Sequence, residues 1–364
     1  MKPSIRCLTT ALGLAASCQA PWVMASATNT CEWFSGTSGT GPMTFIHNVG
    51  SIFVPRDAPD GSVIGVERLS HRTSSIEPKS IRCDNDGSVR LTFNAQSTAP
   101  PIGGLPTGIS PLGTLQTNIP GVGVRFSLGF PFDGSASNAF TPDLGDATVP
   151  FSAHHHQGMG SALLRFSTLH SYITLIKTGP IALGAQTFDG EKELFSGRFS
   201  GIPGKSFSAR LNGTVTQAHC GTNTVSADPV QLGNWDQKDF TGISYTTTAV
   251  PFSITLSDCY ADSSNVHIAT ANIRFADASA IPFVTSAPGV FGLTSDSTAK
   301  GIGIQVLKSD GSTPVELNTD VPLIPISASG TVLNFTARFY QTEPSSDVHP
   351  GIAKGALDFT LTYR

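Results

Sequence analysis

Residues 351–364 read Gly351-Ile352-Ala353-Lys354-Gly355-Ala356-Leu357-Asp358-Phe359-Thr360-Leu361-Thr362-Tyr363-Arg364. From Leu357 onward every second residue is apolar, which places Leu357, Phe359, Leu361 and Tyr363 on one face of a half-buried β-strand. Read as the strand that finishes the chain, it is expected to leave a sheet edge or cleft with unpaired backbone groups. An edge of unpaired backbone groups beside apolar side chains is an aggregation hazard unless something covers it. On pattern alone the alternative is an ordinary closing strand in a complete sandwich.

The same alternation extends upstream. Phe207, Ala209, Leu211, Gly213 and Val215 lead to Cys220, Val230 to Gly233 read as a short strand, and Phe252, Ile254 and Leu256 lead to Cys259. Val266, Ile268 and Phe275 belong to the next region. Ile302, Ile304 and Val306 meet a turn at Asp310-Gly311, with Val315 and Leu317 beyond it, the pattern of a hairpin. Leu333, Phe335, Ala337 and Phe339 alternate before the final strand. Seven or more strands in about 160 residues is the count of an immunoglobulin-like sandwich. Phe199 to Ser206, rich in Gly, Pro and Ser, reads as a linker, and the stretch before it is again strand-like. There Val89, Leu91 and Phe93 follow Asp86-Gly87, and Val122, Val124, Phe126 and Leu128 alternate. Leu164 to Phe166 and Tyr172 to Ile176 add two more strands, and long Gly/Pro/Ser-rich loops separate them.

Composition supports an all-β chain. It holds 37 Gly and 25 Pro among 364 residues, and only 13% of residues are charged, which opposes long helices. The net charge of −4 with no basic run argues against nucleic acid as a partner. Lys2 and Arg6, the apolar run Leu8 to Ala16 and the small residues Ala25-Ser26-Ala27 read as a signal peptide, residues 1–27. Ala15-Ala16-Ser17-Cys18 only loosely suggests a lipoprotein site, because Ala15 stands where a large aliphatic is wanted. The remaining length suits two β-sandwich domains, residues 28–199 and 200–364. Cys31, Cys83, Cys220 and Cys259 survive cleavage, an even number in an exported chain. Three pairings are possible, and the two distant sets make Cys31–Cys83 and Cys220–Cys259 the economical ones. Each closes a loop of roughly 40–50 residues, worth about 4 kcal/mol in the chain-entropy account.

At this point residues 204–364 resemble the pilin domain of chaperone–usher fimbriae. The matching pieces stand in family order: Leu211-Asn212-Gly213-Thr214-Val215 before Cys220, Val230-Gln231-Leu232-Gly233, and Pro251-Phe252 leading to Leu256 and Cys259. Gly301-Ile302-Gly303-Ile304-Gln305, Ala337-Arg338-Phe339-Tyr340, Gly351 and the penultimate Tyr363 follow. The resemblance implies an incomplete immunoglobulin-like fold completed by a donor strand, first from a periplasmic chaperone and then from the adjacent subunit after passage through an outer-membrane usher. Chaperone–pilin exchange is a recognised instance of β-strand addition. It implies that Gly351, Leu357, Phe359, Leu361, Tyr363 and Arg364 form the chaperone and subunit interface, with the Arg364 carboxylate held by chaperone cations. Residues 28–199 are similar to the N-terminal domains of two-domain tip adhesins of type 3-like fimbriae. That similarity rests on Cys31 and Cys83, Thr117 to Val124, and Leu175-Ile176-Lys177-Thr178-Gly179. It implies a protein at the fimbrial tip, outside the cell, binding a host glycan or matrix protein. A non-adhesive adaptor or assembly initiator is the alternative. The mannose-pocket residues of the type 1 tip adhesin have no matching positions, so the receptor-contacting residues stay unassigned.

No catalytic, cofactor or metal motif emerges. Gly-x-Ser-x-Gly and His-Glu-x-x-His are absent, and Phe199 stands where a phosphate loop ending in Gly204-Lys205-Ser206 needs its first Gly. His154-His155-His156 is the most conspicuous cluster, a metal or pH-sensitive site by composition, but adjacent residues on an extended chain point to opposite faces. A solvated loop is the plainer reading. Asp84 to Gly87 lacks the downstream Glu of a calcium loop and reads as a hairpin turn. Trp33 reads as cover for the Cys31 disulfide and Trp235 as packing.

Overall fold

The computed structural model describes residues 28–34, 39–103, 113–160, 162–264, 266–277, 284 and 286–364. The expected signal peptide, residues 1–27, and with it Cys18, lies outside them. The described chain is all-β, its only helical turns being Gln237–Asp239 and Ser345–Asp347. No described helix is long and apolar enough to cross a membrane.

Buried side chains separate into two clusters, one from Cys31 to Val215 and one from Ala218 to Tyr363. Around the first, Val63–Ser74, Thr168–Lys177, Val122–Leu128 and Thr114–Gln116 form an antiparallel sheet in that order. Opposite it runs a sheet containing Phe151–His155, Leu91–Ser97, Phe195–Phe199 and Phe207–Val225. Period-two patterning decides which side chains meet between them. Val122, Val124, Phe126 and Leu128 are buried, whereas Arg125 on the opposite face is half-exposed. The interior is filled by phenylalanines: Phe93 stacks on Phe132 with centroids 4.1 Å apart, and Phe45 meets Phe207 edge-on at 5.5 Å. Each such pair adds about 0.5–1.5 kcal/mol beyond area burial.

His47 sits inside this core with no exposed surface. Its Nδ1 lies 2.7 Å from the Thr73 hydroxyl, and the Ser171 hydroxyl is 3.4 Å from its Nε2. Burial, with the neighbouring His71 adding to it, pushes its pKa down to about 3, so it is a neutral core residue at physiological pH.

The two clusters share one strand. Phe207–Val225 pairs antiparallel with Phe195–Phe199, then parallel with Met43–Pro55 from Phe207↔Met43 to Ala218↔Pro55, then antiparallel with Val250–Tyr260 through Cys220↔Cys259. Phe207, Ala209, Leu211 and Val215 belong to the first core, Ala218 and Cys220 to the second. The segment read as a linker is a hairpin turn inside the first unit, closed by the Ser206 amide donating to the Gly197 carbonyl. The reason is length: the strand is 19 residues, long enough to cross both cores, whereas its local alternation says nothing about which core each part faces. Beyond it, one sheet runs Val250–Tyr260, Thr331–Gln341, Ile302–Lys308, Val290–Phe291, and a second runs Leu357–Tyr363, Thr270–Asp277, Val321–Pro325.

Disulfides Cys31–Cys83 and Cys220–Cys259 each join directly opposed residues of paired strands, with Cα atoms 4.0 and 3.9 Å apart.

Candidate functional site: an uncovered groove in the second sandwich

Leu357–Tyr363 pairs on one side only, with Thr270–Asp277, in the register Asp277↔Leu357, Phe275↔Phe359, Ile273↔Leu361 and Ala271↔Tyr363. Arg364 and Thr270 exchange both backbone hydrogen bonds. In an antiparallel pair this phase turns the backbone groups of residues 358, 360 and 362 toward Thr270–Asp277 and those of 357, 359, 361 and 363 toward the open side. The open side has no strand among the described residues. Leu357, Phe359 and Leu361 turn half-buried side chains inward, and Asp358 and Thr360 are exposed.

Alongside this edge lies a groove of about 1050 Å³. Its floor includes Phe252, Ile254, Phe275, Ile304 and Phe339, and its walls are residues 227–235 and 348–359. Residues 230–233, expected as a strand, have no strand pairing and line one wall, because no strand lies beside them to complete a ladder. Trp235, expected to be packing, lines the groove half-exposed, its Nε1 donating to the Leu232 carbonyl at 2.9 Å. At one rim the Lys354 ammonium, first, and the Thr294 hydroxyl hold the Asp296 carboxyl down at about 2. The groove therefore combines an apolar floor with an Asp296–Lys354 ion pair among its lining residues.

Two further features set its ends. Gly351 lies so close to residues 298–299 that a Cβ there would stand 2.5 Å from the Ala299 nitrogen, which is why a side-chain-free residue is needed at this wall. At the other end, Asp57 from the first unit occupies the open edge at Tyr363. The Tyr363 amide donates to its carboxylate at 2.8 Å, and the Asp57 amide donates to the Tyr363 carbonyl at 3.0 Å. The Arg56 guanidinium lies 5.0 Å over the Tyr363 ring, and burial raises the phenol's pKa.

Of the residues expected to form one interface, Gly351, Leu357 and Phe359 line the groove, whereas Leu361 packs at the edge of the core beyond it. Tyr363 is buried at 3% exposure between the units, and the Arg364 guanidinium pairs with Asp320 at 2.6 Å. Asp57 escaped sequence reasoning, since it is 306 residues from its partner and no local pattern marks it.

The histidine triplet divides as strand alternation requires. His155 is buried with its ring nitrogen on the Ser137 carbonyl, His154 pairs with Asp143 beside Arg90, and the His156 ring lies 5.0 Å from that of His154. Among the described residues no group of three His, Cys, Asp or Glu is placed to hold a metal ion. Asp86-Gly87 forms a turn with the Ser88 amide on the Asp86 carboxylate, and Trp33 packs half-buried on the first core.

Residues 209–364 match a family model described as "Fimbrial protein". The chain is 34% identical to the type-1 fimbrial protein A chain of Salmonella typhi over 164 residues, covering 42% of this chain and 80% of that protein. It is 28% identical to a fimbria adhesin protein of Klebsiella pneumoniae over 343 residues, 86% of this chain and 89% of that one. The CupB6 tip adhesin of Pseudomonas aeruginosa is similar to it at 16% identity and a TM-score of 0.34, covering 93% of this chain and 95% of that one.

Proposed function

The chain belongs to the fimbrial protein family, a structural and adhesive class rather than an enzymatic one, and from that premise we propose that it is a tip adhesin joined to its fibre by strand addition. The observation that carries the joining step is the apolar groove beside the unpaired edge of Leu357–Tyr363. An extended segment laid there gains backbone hydrogen bonds to residues 357, 359 and 361, each worth about 0.5–1.5 kcal/mol. Its alternate side chains enter the groove, and each large aliphatic buried adds about 1.5–3 kcal/mol. A periplasmic chaperone delivered to the usher supplies that segment first, and the neighbouring subunit supplies it in the fibre. Gly351, Leu357 and Phe359 lie at this interface, and Leu361 offers it backbone.

The receptor-binding unit is residues 28–199 together with the part of Phe207–Val225 that packs against them. With its own core and disulfide it stands where a subunit's donor extension would, which supports a position at the end of a fibre on the cell surface. Its receptor is a host glycan or matrix protein, and many weak sites on many fibres give avidity.

The test is strand addition to the full chain. A peptide with apolar residues at alternate positions, taken from the adjacent subunit, should convert aggregating chain into stable monomer. The same peptide with those positions changed to Asp should not. Soluble monomer in good yield with neither chaperone nor peptide would refute the reading.

A further inference from the structure

The outward face of the four-stranded sheet in the first unit has a composition unlike the rest of this acidic chain. Positions 70, 72 and 74 of Val63–Ser74 stand opposite 172, 170 and 168 of Thr168–Lys177, and 125 and 127 of Val122–Leu128 stand opposite 174 and 172. Those positions hold Ser70, Arg72, Ser74, Tyr172, His170, Thr168 and Arg125, with Ser127 and Thr174 buried at the far end, and no carboxylate stands among them. Arg68 joins them from a bulge, where the register slips between Ile173 and Leu175. It holds a positive φ of 54°, and its amide is fixed by the Thr174 hydroxyl at 3.0 Å.

The side chains form one platform. The Arg68 guanidinium lies 4.8 Å over the Tyr172 ring, and the His170 ring lies 4.9 Å from the same ring. The Ser70 hydroxyl is 3.0 Å from His170 Nε2. Gly129 permits this, because a Cβ there would stand 2.6 Å from the imidazole. Burial, then the Arg72 charge, lowers the His170 pKa while Asp133 opposes it, so this imidazole is a neutral hydrogen-bonding partner rather than a counter-charge. Among the described residues neither Arg68 nor Arg72 has an ion-pair partner, and both are exposed. Four residues apart on an extended edge strand, they would be about 13 Å apart.

We propose that this face binds an anionic polysaccharide, carboxylated or sulfated, as the receptor of the adhesin. Two exposed guanidinium groups on one edge match acidic groups a few sugars apart along one chain, and guanidinium is the side chain suited to forked contacts with carboxylate and sulfate oxygens. Ser70 and Tyr172 offer hydroxyls to the sugar hydroxyls, and the Tyr172 ring offers apolar contact to a pyranose. The Ser70 hydroxyl and the Tyr172 ring set between the guanidinium groups favour a saccharide over an acidic peptide. The assignment rests on the adhesin reading above and names the chemistry of its receptor.

The experiment uses the full chain held by its chaperone, with heparin, hyaluronan, neutral dextran and polyglutamate as immobilised probes, at low and at physiological salt. Heparin or hyaluronan should bind, more weakly as salt rises, and dextran should not; heparin alone would indicate sulfate, both would indicate that carboxylate suffices. Arg68→Ala with Arg72→Ala should weaken binding on the order of tenfold or more, and Tyr172→Ala should weaken it as well. Arg90→Ala, a cation already paired with Asp143 elsewhere on the unit, should leave binding unchanged. Equal binding by the double variant, or tighter binding to polyglutamate than to either polysaccharide, overturns the proposal. Wild-type chain that binds matrix protein but no polysaccharide also overturns it, and leaves the adhesin reading standing. Chain that binds neither, on fimbriae whose cells adhere equally well without it, overturns both.

Discussion

Acidification should loosen the first unit through His47. An unfolded histidine titrates near 6.5, and in the folded protein burial and His71 hold this one at about 3. Because the folded value is depressed, protonation favours the unfolded chain. The stability is complete above the unfolded pKa and declines as the pH falls from 6.5 toward 3. At pH 5 linkage gives a loss of about 2 kcal/mol relative to pH 7.5, a figure set almost wholly by the unfolded pKa. His71, also lowered by burial, adds in the same direction. With a urea slope of about 2 kcal/mol per molar, the midpoint for the first unit should fall by roughly 1 M. Trp33 reports on this unit, provided the chain begins at residue 28 and carries Trp235→Phe, since it is then the one tryptophan left. Fluorescence-monitored urea unfolding at the two pH values, on chain with its groove filled by donor peptide, reads the shift. His47→Gln, which keeps a hydrogen-bonding side chain beside Thr73 but cannot take up a proton, should remove most of the drop. A midpoint that falls equally in wild type and variant would refute the argument, as would no fall at all.

The second unit offers three further expectations. Gly351→Ala forces a methyl against the Ala299 backbone, so the second core should lose about 1–3 kcal/mol, read as an earlier urea transition of strand Thr331–Gln341 by hydrogen exchange. Asp57→Ala removes the acceptor of the Tyr363 amide; with the carboxylate part-exposed the loss is about 1 kcal/mol, so that amide should exchange roughly fivefold faster while the Arg364 amide, bonded to Thr270, holds. Cys220→Ala with Cys259→Ala opens a crosslink of separation 39, costing about 4 kcal/mol in the chain-entropy account, and should destabilise the second core alone. Equal loss in both cores by exchange mass spectrometry would contradict the independence of the two clusters.

Much of this architecture follows from local pattern. Alternation of Leu357, Phe359 and Leu361 needs no neighbour to be read, because pleating alone sends every second side chain to one face. The same holds for Val122 to Leu128 and for Leu333 to Phe339, and Gly351 with Tyr363 carried the family resemblance by position. What alternation leaves open is the partner on each edge. Val230 to Gly233 has strand composition but lies unpaired along a groove wall, since a ladder is made by two strands and only one is present. The 19-residue strand Phe207–Val225 has one continuous pattern but crosses two cores, and which core each half faces depends on Met43–Pro55, some 160 residues upstream, lying parallel to it. His47 and Asp57 illustrate the limit most sharply. A histidine on a strand face becomes a neutral core residue, and an aspartate in a turn becomes the stop at the end of an open edge, only when chain segments distant in sequence are brought within hydrogen-bonding range. Local sequence decides conformation and facing through short-range sterics, while charge state, groove boundaries and the platform around Tyr172 arise from contacts that exist only after the chain has folded.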